Sequence, residues 1–195
     1  MRSPEAPRLE EATEVTQLAA EQPELTEARL AGADLGGARL PGLKLLDVAV
    51  ERGNLANVAA REASLRRVAF TGVRLTGAQL TRGKLTDVVF RDCRIDLATF
   101  AATTFERVAF EDCLLAQSDF QEALWRSVRL ERCDLSEADL SGLRVQGCEL
   151  HGCTLDAIHG LERLRGAAMP WADVLGNAAL FAATLGIQVL EVDER

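Results

Sequence analysis

From Leu25 onward the chain places an apolar residue at every fifth position, while the residues between are mostly polar and free to vary. The series runs Leu25, Leu30, Leu35, Leu40, Leu45, Val50, Leu55, Ala60, Leu65, Phe70 and on in the same phase to Leu155, and all 27 positions are apolar. Two residues before each centre the chain is mostly small or β-branched, as at Ala28, Ala33, Val68, Val88, Cys93 and Val108. A period of five fits neither an isolated helix nor a continuous strand. It predicts a short extended segment whose i−2 and i side chains both face inward, since alternate residues of a strand share a face, followed by a corner that resets the direction. Glycine marks the corner: eight of the 15 glycines, Gly32, Gly37, Gly42, Gly72, Gly77, Gly142, Gly147 and Gly152, lie two residues after a centre, where a tight turn favours them.

The number of sides follows from a slower repeat. RRVAFTGV at 66–73, TDVVFRDC at 86–93 and ERVAFEDC at 106–113 sit 20 residues apart. Val48, Val68, Val88, Val108 and Val128 recur on the same stride, as do Phe70, Phe90 and Phe110, then Phe100 and Phe120, and then Cys93, Cys113, Cys133 and Cys153. Twenty residues are four segments. The pattern therefore predicts an all-β, four-sided solenoid of about seven coils over residues 23–159, each coil hydrogen-bonding to the next at roughly 4.7–4.9 Å. Stacking of neighbouring coils carries such a fold.

Segments such as AGADLGGARL, CDLSEADLSG and GCELHGCTL resemble the pentapeptide-repeat family, whose motif is A-[DN]-L-x-x, and the resemblance covers residues 23–157. It implies a right-handed quadrilateral β-helix, and it is nearly silent about activity. Ala60, Trp125 and Val145 depart from the motif at the centre, and Leu43, Gly53, Gly83, Thr103 and Leu143 depart from it at i−2. Leu43, Trp125 and Leu143 fall on one side, which predicts local widening there; Gly53 and Gly83 predict thin packing.

The ends do not follow the repeat. Residues 1–22 carry more acids than their two arginines and read as an acidic tail or cap, with at most one weak helix around Leu9 to Gln22. In the segment 160–195, Pro170 precedes apolar residues at helical spacing, and Gly186 is a fitting C-cap. IQVLEV, 187–192, alternates like a short strand. Two readings of this segment stand side by side: a lid over the last coil, and a dimer seam. Both use Trp171, Val174, Leu175, Leu180, Phe181, Leu185, Ile187 and Val189.

Composition narrows the functional classes. The formal charge of −8 argues against a general binder of nucleic acid or anionic membrane. No apolar run is long enough to span a bilayer, and the first residues lack a secretory signal pattern, so the expected address is cytoplasmic. All five cysteines occupy the inward i−2 slot and are expected to act as small hydrophobes. Cys148, His151, Cys153 and His159 cluster in sequence, but their phases point them apart, so no metal or other cofactor is expected. No nucleophile elbow, phosphate loop or dinucleotide fingerprint is present, and a regular convex rod lacks a catalytic pocket; an enzyme is not expected.

What remains is binding by surface, with a protein partner that the sequence does not identify. Residues 25–160 hold 17 Lys and Arg against 19 Asp and Glu, so the rod is nearly neutral. One local edge is acidic, formed by Asp134, Glu137 and Asp156 on one side and Asp119, Glu122 and Asp139 on the next; Arg66, Arg67 and Lys84 lie midway along another side. Some members of the family imitate duplex DNA and protect gyrase from quinolone-type inhibitors as dimers. Resemblance to them implies, as the alternative to an unidentified partner, a type II topoisomerase as target and a homodimer built on the C-terminal segment.

Overall fold

The computed structural model describes residues 1–10, 12–15 and 23–190. Seven strands of eight residues recur every 20 residues: β2 (Glu24–Ala31), β3 (Lys44–Glu51), β4 (Ser64–Thr71), β5 (Lys84–Arg91), β6 (Thr104–Glu111), β7 (Leu124–Glu131) and β8 (Arg144–His151). A two-residue strand, β1 (Thr13–Glu14), precedes them, and all pair in parallel in chain order. The register is one coil long, with Val68 opposite Val88 and Phe90 opposite Phe110. Each eight-residue strand covers two sides of the square. The other two sides are columns of single bridges, one running Asp34, Asn54, Arg74, Arg94, Leu114, Asp134, Thr154 and the other Arg39, Ala59, Gln79, Thr99, Asp119, Asp139, His159. Six coils are complete and most of a seventh follows, slightly short of the expected count.

The corners explain the period. Every residue two after a centre, from Glu27 to Ala157, has φ between 50° and 84°, and 19 of these corners are not glycine. A left-handed residue with a Cβ costs about 1–2 kcal/mol, so the ladders above and below must hold each of these corners in place. The turn is closed by bonds such as Ala78 N–H to Leu75 O at 2.9 Å.

The inward residues form one continuous core. Phe70, Phe90 and Phe110 stack with centroids 4.8 Å apart at each step and planes within 6°, and Phe100 stacks on Phe120 at 5.2 Å. Trp125 is fully buried, edge-on to Phe120 at 5.2 Å, and its indole N–H has no acceptor among the described residues. Leu43 and Leu143 are buried on the same side. Gly83 is not a thin spot: its N–H donates to Thr103 Oγ1 at 3.1 Å, and a Cβ there would lie 2.9 Å from the Ala63 carbonyl oxygen. Small polar residues in the i−2 slot donate to the carbonyl 23 residues earlier, as Thr103 does to Leu80, Ser118 to Ile95, and Cys113 to Phe90.

Both ends differ from expectation. At the C-terminal end a 3-10 turn, Leu161–Leu164, leads to Ala168, which bridges to Glu149 and so takes the free edge of the last coil. The predicted helix forms as two, α1 (Trp171–Gly176) and α2 (Ala178–Thr184), with Gly186 at φ 72° beyond the second. Asp173 anchors α1 by accepting the Gly152 N–H at 2.6 Å. The predicted strand does not form over 187–190, and 191 and 192 lie outside the described residues; the residue that bridges to the last coil is Ala168.

At the N-terminal end no helix forms in residues 9–10 or 12–15, and 11 and 16–22 lie outside the described residues. Thr13 and Glu14 pair instead with Ala28 and Arg29, beneath the first coil. Residues 1–9 run along the column, with Pro4, Pro7 and Leu9 half-buried and the other six exposed.

Candidate partner-binding surfaces

The acidic edge is assembled as the phases require. Asp119 and Asp139 are bridge neighbours on one side, Asp134 lies on the adjacent side, and Glu137 turns the corner between them. Glu122, Glu137 and Asp156 are exposed, and Asp119, Asp134 and Asp139 are half-buried. Their hydrogen-bond donors are neutral: Thr99 to Asp119 at 3.0 Å, Gln117 to Glu137 at 2.8 Å, Gln121 to Asp139 at 2.7 Å, and Ser136 to Asp134 at 2.6 Å. Among the described residues none of the six has a Lys or Arg nitrogen within 4.0 Å. Burial alone would push Asp139 up, but hydrogen bonds from Ser141 and Gln121 and the nearby His159 outweigh it and hold the carboxyl below its ordinary value. Asp139 therefore keeps its charge at neutral pH.

Many carboxylates elsewhere on the column are paired, although among the described residues Glu27, Asp34, Asp92 and Asp96 also have no Lys or Arg partner. Arg132 holds Asp112 with bonds of 2.6 and 2.8 Å, and Arg91 reaches Glu111 at 2.7 Å. Of the basic residues midway along the column, Arg66 is exposed and Lys84 lies 3.8 Å from Glu106. Arg67 is not a free surface cation: it is 9% exposed and clamps Asp47 through Nε at 2.7 Å and Nη2 at 2.6 Å.

The C-terminal residues divide. Leu180 and Phe181 are partly buried and pack against the core together with Leu164 and Met169. Val174 lines an apolar groove of about 590 Å³ with Leu161, Phe181 and Leu185. Trp171, Leu175, Leu185, Ile187 and Val189 point outward, with Trp171 73% and Val189 70% exposed.

The thiols sit in the predicted slot. Cys93, Cys113, Cys133 and Cys148 are buried, Cys153 is half-buried, and all are free. Burial pushes Cys148 up to about 12, aided by the charge of Glu149. Among the described residues no group of three His, Cys, Asp or Glu is placed to hold a metal ion, and no helix is long and apolar enough to cross a membrane.

One arrangement escaped the sequence reading. Asp47, Arg67, Asp87 and Arg107 occupy successive positions of one corner column, and Arg107 clamps Asp87 at 2.7 and 2.8 Å just as Arg67 clamps Asp47. Residues 1–9 cross this corner: the Glu5 N–H donates to Asp87 Oδ1 at 3.2 Å and the Arg8 N–H to Asp47 Oδ1 at 2.9 Å. The signal was present as alternating Asp and Arg on the 20-residue stride, read along a corner rather than along the core.

With this geometry established, comparison with known proteins fixes the class. The family described as Pentapeptide repeat region matches residues 63–140, and Pentapeptide repeats (8 copies) matches 126–156. Residues 63–156, nearly half of the chain, are thus matched by pentapeptide-repeat models. Among solved structures it is similar to full-length QnrB1, a plasmid-mediated fluoroquinolone resistance protein, at 15% identity over 84% of this chain and 90% of that one, with a TM-score of 0.45. It is also similar to HetL, a pentapeptide-repeat protein involved in heterocyst differentiation regulation from the cyanobacterium Nostoc sp. strain PCC 7120, at 19% identity over 76% and 90% with a TM-score of 0.25. A third, Rfr23 from the cyanobacterium Cyanothece 51142, shares 17% identity over 73% and 88% with a TM-score of 0.24. No curated protein matches. Likenesses this distant carry no function across, and the chain is, on its own residues, a pentapeptide-repeat scaffold.

Proposed function

We propose that the protein is a non-enzymatic scaffold that holds the acidic edge of its last coils rigid for a basic protein partner. The observation that carries this reading is the set of six uncompensated carboxylates, Asp119, Glu122, Asp134, Glu137, Asp139 and Asp156, on a column whose other carboxylates largely have arginine partners. A preformed row of like charge speeds encounter with an opposite surface and weakens with salt. Mimicry of a DNA duplex along the whole column fits less well, since Arg39, Arg74 and Arg94 occupy the same two sides in the earlier coils. The test is affinity capture from the native cytoplasm with the wild-type chain and with Glu122→Gln/Glu137→Gln/Asp156→Asn. The reading expects a partner retained by the wild type at low salt, released at high salt and absent with the variant. Equal capture by both proteins sinks it, and inhibition of gyrase supercoiling by the wild type would favour the topoisomerase target instead.

The outer face of the C-terminal segment supports a homodimer. Trp171, Leu175 and Leu185 on the two helices, with Ile187 and Val189 beyond them, form a run of exposed apolar side chains at one end of the column. Light scattering is expected to give twice the 21.1 kDa of the chain, and Trp171→Glu to halve it. A wild-type monomer at high protein concentration rules the seam out.

A further inference from the structure

The corner crossed by residues 1–9 has the features of a ligand groove with its ligand in place. Ala49, Val89 and Ala109 occupy outward phases, yet they are only 5%, 8% and 3% exposed. On the strap, Pro4, Pro7 and Leu9 are half-buried, whereas Glu5, Ala6 and Arg8 are exposed. The prolines are three residues apart. So are the two residues whose amides reach the column, Glu5 and Arg8, and their acceptors Asp87 and Asp47 stand two coils apart.

This spacing has a physical basis. Two coils span about 9.6 Å, and one turn of a polyproline II segment, three residues at 3.1 Å, spans about 9.3 Å. A Pro-x-x-Pro segment lying along the column axis thus keeps step with alternate coils. Proline fixes the backbone of such a segment in advance and lowers the entropy lost on docking. The column supplies a floor of small apolar side chains and, every second coil, a carboxylate locked by an arginine so that one oxygen faces the strap. Recognition runs through backbone amides and proline rings, and the strap's own charged side chains point to solvent. Under residues 1–4 the fit is loose, with a cavity of about 230 Å³ floored by Val89, Val108 and Ala109 and rimmed by Glu111, Arg129 and Glu149.

We infer that this corner is a docking groove for a proline-rich segment of a partner protein with prolines three residues apart, and that residues 1–9 occupy it in cis as a displaceable stand-in. The groove lies diagonally across the column from the acidic edge and does not rest on it.

The experiment uses the full chain carrying Pro4→Glu/Pro7→Glu, which removes the rings and sets acids against Asp47 and Asp87, so that the strap lifts off. Three labelled peptides are titrated by fluorescence anisotropy: MRSPEAPRL, the same peptide with both prolines replaced by alanine, and an unrelated peptide with the same proline spacing. The lifted chain is expected to bind MRSPEAPRL at least tenfold tighter than the wild type does. The alanine peptide is expected to bind at least fivefold more weakly than MRSPEAPRL, and the unrelated proline peptide to stay within tenfold of it. Adding Asp47→Asn/Asp87→Asn to the lifted chain is expected to weaken MRSPEAPRL at least fivefold. Equal binding of the native and alanine peptides overturns the inference, as does equal binding of MRSPEAPRL to wild-type and lifted chains or no binding to the lifted chain. The peptide comparison is made on one protein, so it decides the matter even if the aspartate variants fail to fold.

Discussion

Phe90 is the middle ring of a three-ring stack, fully buried, with Phe70 and Phe110 each 4.8 Å away and nearly parallel. Replacing it by alanine removes the transfer free energy of the ring and leaves a cavity that rigid coils above and below cannot close, about 3–5 kcal/mol by analogy with other buried aromatics. Loss of two stacked partners adds about 0.5–1.5 kcal/mol each. The sum is near 5 kcal/mol, which for a chain of this size lowers the thermal midpoint by roughly 10–20 °C. Phe90→Leu keeps most of the buried volume and loses mainly the stacking, so its cost is expected to be about 1.5 kcal/mol and its shift roughly 3–6 °C. Thermal unfolding followed by far-UV circular dichroism reads both variants. Because coils touch only their neighbours, the alanine variant should also broaden the transition as the halves of the column uncouple. No shift for leucine would show that ring stacking contributes nothing, equal shifts for alanine and leucine that the cavity adds nothing to the lost stacking, and an alanine shift below about 5 °C that Phe90 is not sealed between coils.

Other consequences are as direct. Ala102 is an exposed corner residue at φ 56°, so Ala102→Gly relieves left-handed strain and should stabilise by up to about 1 kcal/mol, while Gly37→Ala, at φ 69° with open space around it, should cost about 1 kcal/mol; chemical denaturation measures both. Trp125→Phe removes a buried N–H that lacks an acceptor among the described residues and should cost under about 1.5 kcal/mol, well below the 3–5 kcal/mol expected for Phe105→Ala in the same assay. Hydrogen bonds from Arg67 hold Asp47 below the usual carboxylate range; burial alone would raise Asp87, but bonds from Arg107 and the Glu5 amide outweigh it. Depressed folded values mean that this stability is complete above about pH 5 and is lost as pH falls through the folded pKa of each group. The thermal midpoint should therefore be flat from pH 7 to 5 and fall below about pH 4, with a smaller fall in Asp47→Asn/Asp87→Asn.

The column was legible because its rule is local and repeated. Leu25, Leu45, Leu65 and Leu85 needed only counting, and the glycines at 32, 37, 72 and 77 announced a left-handed corner that Arg82, Asp92 and Leu97 then adopt without glycine's help. The stacked coils impose that conformation, so nothing in the single residue declares it. Ile187 to Leu190 misled for the opposite reason. Alternation shows that a segment can form a strand, but a strand also needs an edge to pair with, and 187–190 pair with none among the described residues. The strap was hidden by its composition: Glu5, Glu10 and the two arginines look solvated, while the contact is made by amides and by Pro4 and Pro7. Phase alone groups Asp119, Asp134 and Asp139 on adjacent sides, but it does not disclose that Gln117, Gln121 and Thr99, rather than cations, attend the acidic edge.

A column with five residues to a side and no loops at its corners has no slack. Deleting one residue from any coil would turn every later leucine and phenylalanine outward and bring the charged positions into the core, until a second change restored the phase. Length can therefore vary safely only by whole turns of 20 residues, and the chain can grow or shrink by copying or losing complete coils far more readily than by small insertions.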